Sequence, residues 1–114
     1  MSVKLTTRQV GDVTVVDAVG RITLGEAATT FRDTLRQLVG SGHKKLLLNL
    51  ADVSYIDSSG IGEMVSGYTT VNNQGGQVKL LNLTKRVKDL LQITKLYTVF
   101  EVFEDESSAV SSFK

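Results

Sequence analysis

A buried strand that passes through a short polar turn into a helix is the feature that most constrains this sequence. The run Leu-Leu-Leu-Asn-Leu at 46–50 is apolar enough to form a central strand of a sheet. Two serines and two glycines follow within 58–62, and apolar residues then recur with helical spacing up to Val71. Ligands and partners of open α/β sheets usually bind at such strand ends. We therefore expect this turn to be the functional part of the chain.

The remaining elements predict an α/β fold in the order β-β-α-β-α-β-α-β-α. Alternating residues from Val3 predict a first strand, and the β-branched run 13–19 predicts its return after a Gly11-Asp12 turn. Amphipathic helical patterns then alternate with short apolar runs, which is typical of parallel crossovers. The prediction is a small mixed sheet, mostly parallel with an antiparallel N-terminal edge hairpin, flanked by about four helices. The last two strands are predicted at 78–83 and 99–103. The side chains predicted to be largely buried are Phe31, Leu35, Leu48, Leu50, Ile56, Val65, Leu80 and Leu91.

Length, composition and net charge indicate which classes of protein this sequence can belong to. A chain of 114 residues, 41% of them hydrophobic, suits a single domain spanning 1–114 with one core. A net charge of +1 gives no general attraction to nucleic acid or to an anionic membrane. No apolar run approaches the roughly 18 residues of a membrane span, and the N-terminus lacks a signal-like apolar segment. We therefore expect a cytoplasmic protein without a direct nucleic-acid or membrane partner.

A serine hydrolase is disfavoured by the residues around the turn. A nucleophile elbow needs Gly two residues before and two after its Ser, whereas Ser58 has Ile56 before it. The sole candidate base is His43, which lies before strand 46–50, at the end opposite to the turn. With no Cys in the chain, thiolate chemistry and disulfides are excluded as well.

Binding of phosphate or of a cation at the turn is also weakly supported. The Gly60-Ile61-Gly62 run is too short for a dinucleotide fingerprint, and Asp57 would repel a bound phosphate. Asp52, Asp57 and Glu63 could form a cation site, but we prefer Asp57 as the N-cap of the helix and predict no metal. The basic group Lys85, Arg86 and Lys88 is interpreted as a solvated helix face.

The turn sequence closely resembles the Asp-Ser-Ser/Thr-Gly-Leu-Gly motif of STAS-domain anti-sigma factor antagonists. The resemblance extends to the strand 46–50, the approach 53–56, the Gly75-Gly76 pair and the segment 90–96. It implies a mixed sheet flanked by helices and no catalytic activity or cofactor. The motif residues that it implies as part of a partner-docking surface are Asp57, Ser58, Ser59, Gly60, Ile61 and Gly62.

The resemblance also implies a partner-switching cycle. The unmodified antagonist would bind an anti-sigma factor that is also a serine kinase, with ATP bound to the kinase, and a sigma factor would be released. The kinase would phosphorylate the serine directly after the motif's Asp, which is Ser58 here. A metal-dependent serine phosphatase would restore the active form. We expect a monomer or a weak dimer.

One segment departs from the family pattern. Members often carry an acid in a Gly-x-Leu-Asp connector after the second strand, whereas this chain has Gly20-Arg21-Ile22-Thr23. Arg21 and Thr23 are therefore predicted to lie near the turn and to help choose the partner. The alternative function is a ligand-sensing or scaffold STAS domain, for a nucleotide or in another signalling complex, that is not switched at Ser58.

Overall fold

The fold is built on a five-stranded mixed sheet whose strands lie side by side in chain order. The structure, a computed structural model, describes residues 3–113. Only the first two strands pair antiparallel, and the other neighbouring strands pair parallel, as predicted. The strands are β1 (Val3–Val10), β2 (Val13–Ile22), β3 (Lys45–Ile56), β4 (Gln77–Leu81) and β5 (Val102–Phe103).

The predicted N-terminal hairpin is confirmed. Val10 of β1 pairs with Val13 of β2, so the turn consists of Gly11 and Asp12 alone. Gly11 has a φ of 63°, a left-handed conformation that a residue without Cβ adopts at little cost. The hairpin places β2 beside the central β3, and the ends of these two strands hold the turn considered below.

Four helices pack on the sheet, three of them on one hydrophobic core and the fourth on another. They are α1 (Glu26–Gly40), α2 (Ser58–Asn73), α3 (Lys85–Ile93) and α4 (Glu106–Ser112). The first three contribute to one large hydrophobic core, while α4 covers a smaller core that includes Ala109 and Leu47. Because side chains alternate along a strand, Leu46 and Leu48 enter the large core and Leu47 enters the small one. Both faces of β3 are thus covered, which explains its continuous apolar run.

The predicted core is confirmed at seven of its eight positions, and Val65 is the exception. Val65 is only half-buried, because Ile61 and Met64 occupy the inward face of α2 and leave it at the edge. The seven buried side chains are Phe31, Leu35, Leu48, Leu50, Ile56, Leu80 and Leu91.

Four predicted strands had the wrong length. β2 extends to Ile22 instead of ending at 19, because Gly20 to Ile22 still pair with β3, so the connector begins at Thr23. β4 spans 77–81 instead of 78–83, since Asn82 has a left-handed φ of 58°.

β3 continues to Ile56 instead of ending at 50, because its second half pairs with β2 and buries Val53 between exposed Asp52 and Ser54. The last strand is shorter than the predicted 99–103, because β5 comprises only Val102–Phe103. A 3₁₀ helix at Leu96–Thr98 precedes it. The longer β3 carries the strand pairing up to the residue before Asp57, so the turn starts directly from the sheet.

Candidate functional site

The turn between β3 and α2 is held by the backbone and side chain of Asp57. Its Oδ1 accepts a hydrogen bond from the Gly60 N–H at 2.9 Å, and its carbonyl accepts from the Ile61 N–H at 3.0 Å. Asp57 itself is extended, with a φ of −104°, and α2 begins at Ser58. The predicted N-cap is therefore confirmed, and it fixes the first turn of the helix.

The connector after β2 is attached to the same aspartate. The Leu24 N–H donates to Asp57 Oδ2 at 3.0 Å, and the Asp57 N–H donates to the Ile22 carbonyl at 3.3 Å. Parallel β2 and β3 end at the same edge of the sheet, which brings the connector and the turn together. Arg21 and Thr23 flank Ile22, so they lie beside the turn, as the sequence predicted.

The Asp57 carboxylate is kept ionised by these contacts. Burial favours its neutral form, but hydrogen bonds from the Gly60, Leu24 and Ser59 N–H groups outweigh burial and lower its pKa. An ionised Asp57 accepts hydrogen bonds from two segments at once and thereby couples the connector to the helix.

Replacing Asp57 by Asn is expected to destabilise the fold by about 1 kcal/mol at pH 7, because Gly60 and Leu24 donate to different carboxylate oxygens and Asn replaces one of these with an NH₂ donor. The pKa of Asp57 is lower in the folded chain than its unfolded value of about 3.9. Its charge therefore contributes stability above that unfolded value, and the contribution is lost as pH falls through the folded pKa. The difference in unfolding free energy between wild type and D57N should therefore shrink below about pH 4.

Urea unfolding of both proteins between pH 7 and pH 3 measures that difference. Asp52→Asn is the matched control, because Asp52 lies on β3, the strand that leads to Asp57, and its exposed carboxylate has no hydrogen bond or ion pair among residues 3–113. A difference between wild type and D57N that stays constant across this range would contradict the role given to the charge.

The motif residues divide into exposed and buried positions. Ser58 and Gly62 are exposed and Ser59 is half-buried, so these three can face a partner. Gly60 is buried and Ile61 is only 3% exposed. The prediction that Gly60 and Ile61 form part of a docking surface is therefore corrected, since both pack the helix onto the sheet.

Gly60 is required by a close approach of the helix to the sheet. A Cβ built at this position would collide with the Ile22 carbonyl oxygen and would lie 2.6 Å from Ile56 Cγ1. At Gly62, by contrast, a Cβ would have no heavy atom within 4 Å. The first glycine of the motif is thus a packing residue, and the second is not constrained by packing.

A cavity of about 690 Å³ opens beside Ser58. Ser58 and Asp57 lie on one side of it, and Arg86 and Ile93 of α3 lie on the other. The ring of Tyr55 is also part of the wall, with the Arg86 guanidinium carbon 4.2 Å and the Arg21 guanidinium carbon 5.0 Å from its centroid. Lys85, Arg86 and Lys88 are exposed, as the interpretation of a solvated helix face predicts, and Arg86 in addition contacts Tyr55 and lines the cavity.

Two exposed apolar side chains lie next to the turn. Leu24 is 79% exposed and Ile93 is 77% exposed, the highest values among the large hydrophobic residues at 3–113. Leu24 contacts Asp57 through its N–H, and Ile93 lines the cavity that Ser58 lines. The sequence does carry a signal for Ile93, because it falls outside the helical spacing of Val87 and Leu91.

The remaining predicted candidates do not assemble into a catalytic or metal site. His43 lies just before β3, and its Nδ1 is 3.1 Å from Thr14 Oγ1. The whole length of β3 separates His43 from Ser58. Glu63 Oε2 lies 3.6 Å from Arg32 Nη1, so this carboxylate forms an ion pair. Within 3–113 no group of three metal-ligating side chains is close enough to hold an ion. The helices of this part of the chain are also too short or too polar to span a bilayer.

Comparison with known proteins identifies the family. The sequence profile described as STAS domain matches residues 4–109. The anti-sigma-B factor antagonist of Bacillus subtilis (strain 168) is 38% identical over 76 residues, which are 67% of this chain and 69% of that protein. The anti-sigma F factor antagonist of Paenibacillus polymyxa is 25% identical over 69 residues, 60% of this chain and 59% of that protein.

Solved structures show the same fold over almost the whole chain. An anti-sigma factor antagonist from Mycobacterium paratuberculosis has a TM-score of 0.84 at 15% identity, covering 98% of this chain and 94% of that one. The phosphorylated form of the Bacillus cell fate determinant SpoIIAA has a TM-score of 0.74 at 19% identity, covering 95% and 97%. The predicted mixed sheet and the family resemblance of the motif are thus confirmed. This chain belongs to the STAS domain family.

Proposed function

We propose that this chain is an anti-sigma factor antagonist that acts by partner switching. In its unmodified form it binds an anti-sigma factor that is also a serine kinase, and a sigma factor is released. Phosphorylation of Ser58 ends that binding. The observation that carries the proposal is the exposed Ser58 hydroxyl at the first position of α2, on a turn fixed by Asp57. The name of the Bacillus subtilis relative, anti-sigma-B factor antagonist, supports it.

The surface around Ser58 has the features of a protein-binding site. We call it the Ser58 face and define it by Leu24, Ser58, Ser59, Gly62 and Ile93. Single exposed apolar residues are common on protein surfaces, but two that flank one polar turn indicate an interaction site. Because Asp57 and the Ile22 carbonyl hold the turn and the connector together, the face is preorganised and little ordering is needed on binding.

The other components of the cycle follow from this proposal. The chain is a regulatory binding protein and not an enzyme, it carries no cofactor, and ATP stays with the partner kinase. A serine phosphatase removes the phosphate from Ser58 and restores binding. Its cytoplasmic location and its state as a monomer or a weak dimer remain predictions.

Phosphorylation itself can be tested with an anti-sigma factor serine kinase that binds the unmodified chain. After incubation with ATP, mass spectrometry of the digested protein should place one phosphate on Ser58 and none on the Ser58→Ala variant. Phosphate found only on Ser59 would contradict the proposal.

A ligand-sensing STAS domain is the second candidate, and the cavity beside Ser58 favours it. Its volume of about 690 Å³ and its wall of Tyr55 and Arg86 could accept a small anionic ligand such as a nucleotide. Calorimetric titration with ATP and with GTP, without any kinase, separates the two candidates. Saturable nucleotide binding in a chain that no kinase modifies would favour sensing.

Thr23→Asp is expected to change which partner kinase is preferred, because it restores the acid that family members often carry beside the turn. The unfolding free energy should change by less than about 0.5 kcal/mol, as for most surface substitutions. Thr7→Asp, on the exposed edge strand β1, is the control that adds the same charge away from the Ser58 face. If T23D bound every kinase tested with unaltered affinity, the connector would not be part of the recognition surface.

A further inference from the structure

Arg86, at the start of α3, has no carboxylate partner among the residues that the structure describes. Its neighbour Lys85 pairs with Asp89 at 2.9 Å, and Lys88 reaches Glu104 at 4.0 Å. Within 3–113 Arg86 forms no ion pair, and its guanidinium lies over the Tyr55 ring at 4.2 Å. Stacking on an aromatic ring holds the planar group in place while its N–H donors stay available.

The cavity beside Ser58 brings this cation and the serine to one space. Ser58 and Arg86 both line it, on opposite sides, together with Asp57, Lys85 and Asp89. Both carboxylates are already engaged, because Asp57 accepts from the Gly60 and Leu24 N–H groups and Asp89 pairs with Lys85. Arg21, over the same Tyr55 ring at 5.0 Å, is a second guanidinium without an ion-pair partner among the described residues.

We infer that Arg86 binds the phosphate once Ser58 is phosphorylated, which closes an ion pair between the β3–α2 turn and α3. This inference rests on the proposed phosphorylation of Ser58. A guanidinium donates two parallel hydrogen bonds to phosphate oxygens, and a phosphoserine offers about −1.5 to −2 charges at neutral pH. This ion pair points the phosphate into the cavity, against the wall that Tyr55 and Arg86 form. Arg21 adds positive charge from the β2 side.

The experiment uses the full chain with phosphoserine encoded genetically at position 58, so that no kinase is needed. A ³¹P NMR titration gives the pKa of the second phosphate ionisation in the phosphorylated wild type and in the phosphorylated variants. A nearby cation favours the dianion, so we expect that pKa to be higher by about half a unit in Arg86→Gln. Asp57, Lys85 and Asp89 line the same cavity, Arg21 contacts the Tyr55 ring of its wall, and all four are unchanged in this comparison.

Lys88→Gln is the matched control, since it removes one positive charge from the same helix outside this cavity. We expect it to change the phosphate pKa by less than about 0.2 units. In wild type, the Arg86 Nε–H resonance should also shift when residue 58 is phosphorylated. An equal phosphate pKa in wild type and R86Q, or an equal rise in R86Q and K88Q, would overturn the inference.

The two failures are distinguishable. If kinases leave Ser58 unmodified, the proposed function fails while the encoded phosphoserine still reports on Arg86. If Ser58 is phosphorylated by a kinase but R86Q titrates like wild type, the inference fails and the proposed function stands. Thermal unfolding of unmodified R86Q checks that the substitution leaves the fold intact.

Discussion

Replacing Gly60 by Ala is expected to destabilise the fold by about 1–3 kcal/mol or more, as overpacking of a tightly packed site does. The added Cβ collides with the Ile22 carbonyl oxygen and lies 2.6 Å from Ile56 Cγ1. The first of these atoms belongs to the backbone of β2 and accepts the Asp57 N–H, so it cannot yield without loosening the turn. The usual gain of about 0.5–1 kcal/mol from Gly to Ala within a helix offsets only part of this cost.

Gly62→Ala provides the matched control for this prediction. It makes the same chemical change two residues along the same helix, at an exposed position where a Cβ meets no heavy atom within 4 Å. We expect it to be neutral or to stabilise the fold by up to about 1 kcal/mol. Urea unfolding of the two variants measures the contrast. Equal stability of G60A and G62A would show that the helix does not approach the sheet as described.

Phosphate on Ser58 is expected to weaken partner binding by at least about a hundredfold, which corresponds to about 2.7 kcal/mol. A surface that fits a serine hydroxyl must either remove the phosphate from water or lose contact with the turn, and desolvating a charged group costs several kcal/mol. The neighbouring Leu24 and Ile93 strengthen this expectation, because apolar contacts on either side would be lost together.

Folding should respond far less to the same modification. At the start of α2 the helix dipole and free N–H groups favour a negative charge by roughly 0.3–1 kcal/mol when it is exposed. The ionised Asp57 next to it opposes this effect, and an ion pair with the exposed Arg86 adds at most about 1 kcal/mol, so the net change is small. Phosphorylated and unmodified chains should therefore have similar thermal midpoints, and the switch acts on binding.

Most of the fold was predictable because one buried strand and regular apolar spacing determine it. The run 46–50 predicted the centre of the sheet, and the N-cap role of Asp57 followed from its place before a helix. The second half of β3 was missed because its pairing with β2 depends on register shifts that no local pattern encodes. β5 was overestimated because the chain turns at Val99 and Phe100, with Phe100 buried in the core, and pairing with β4 begins only at Val102.

The candidate site was only partly predictable, for a physical reason. The motif identified Asp57 and Ser58, but it could not separate exposed residues from those that pack the helix, such as Ile61. Arg86 and Ile93 were missed because they come from α3, far along the chain, and only the folded sheet brings them beside Ser58. Sequence spacing reports which face of an element is buried, not which distant element lies next to it.

Partner switching at Ser58 is best tested by calorimetric titration of a partner kinase with two forms of the chain. The unmodified chain and the chain phosphorylated at Ser58 are compared, with Ser58→Ala as the form that cannot be modified and Ser58→Asp as an imperfect mimic. We predict tight binding of the unmodified and S58A chains, weak binding of S58D, and at least about a hundredfold weaker binding of the phosphorylated chain. Equal affinity of the kinase for the phosphorylated and unmodified chains would contradict the account.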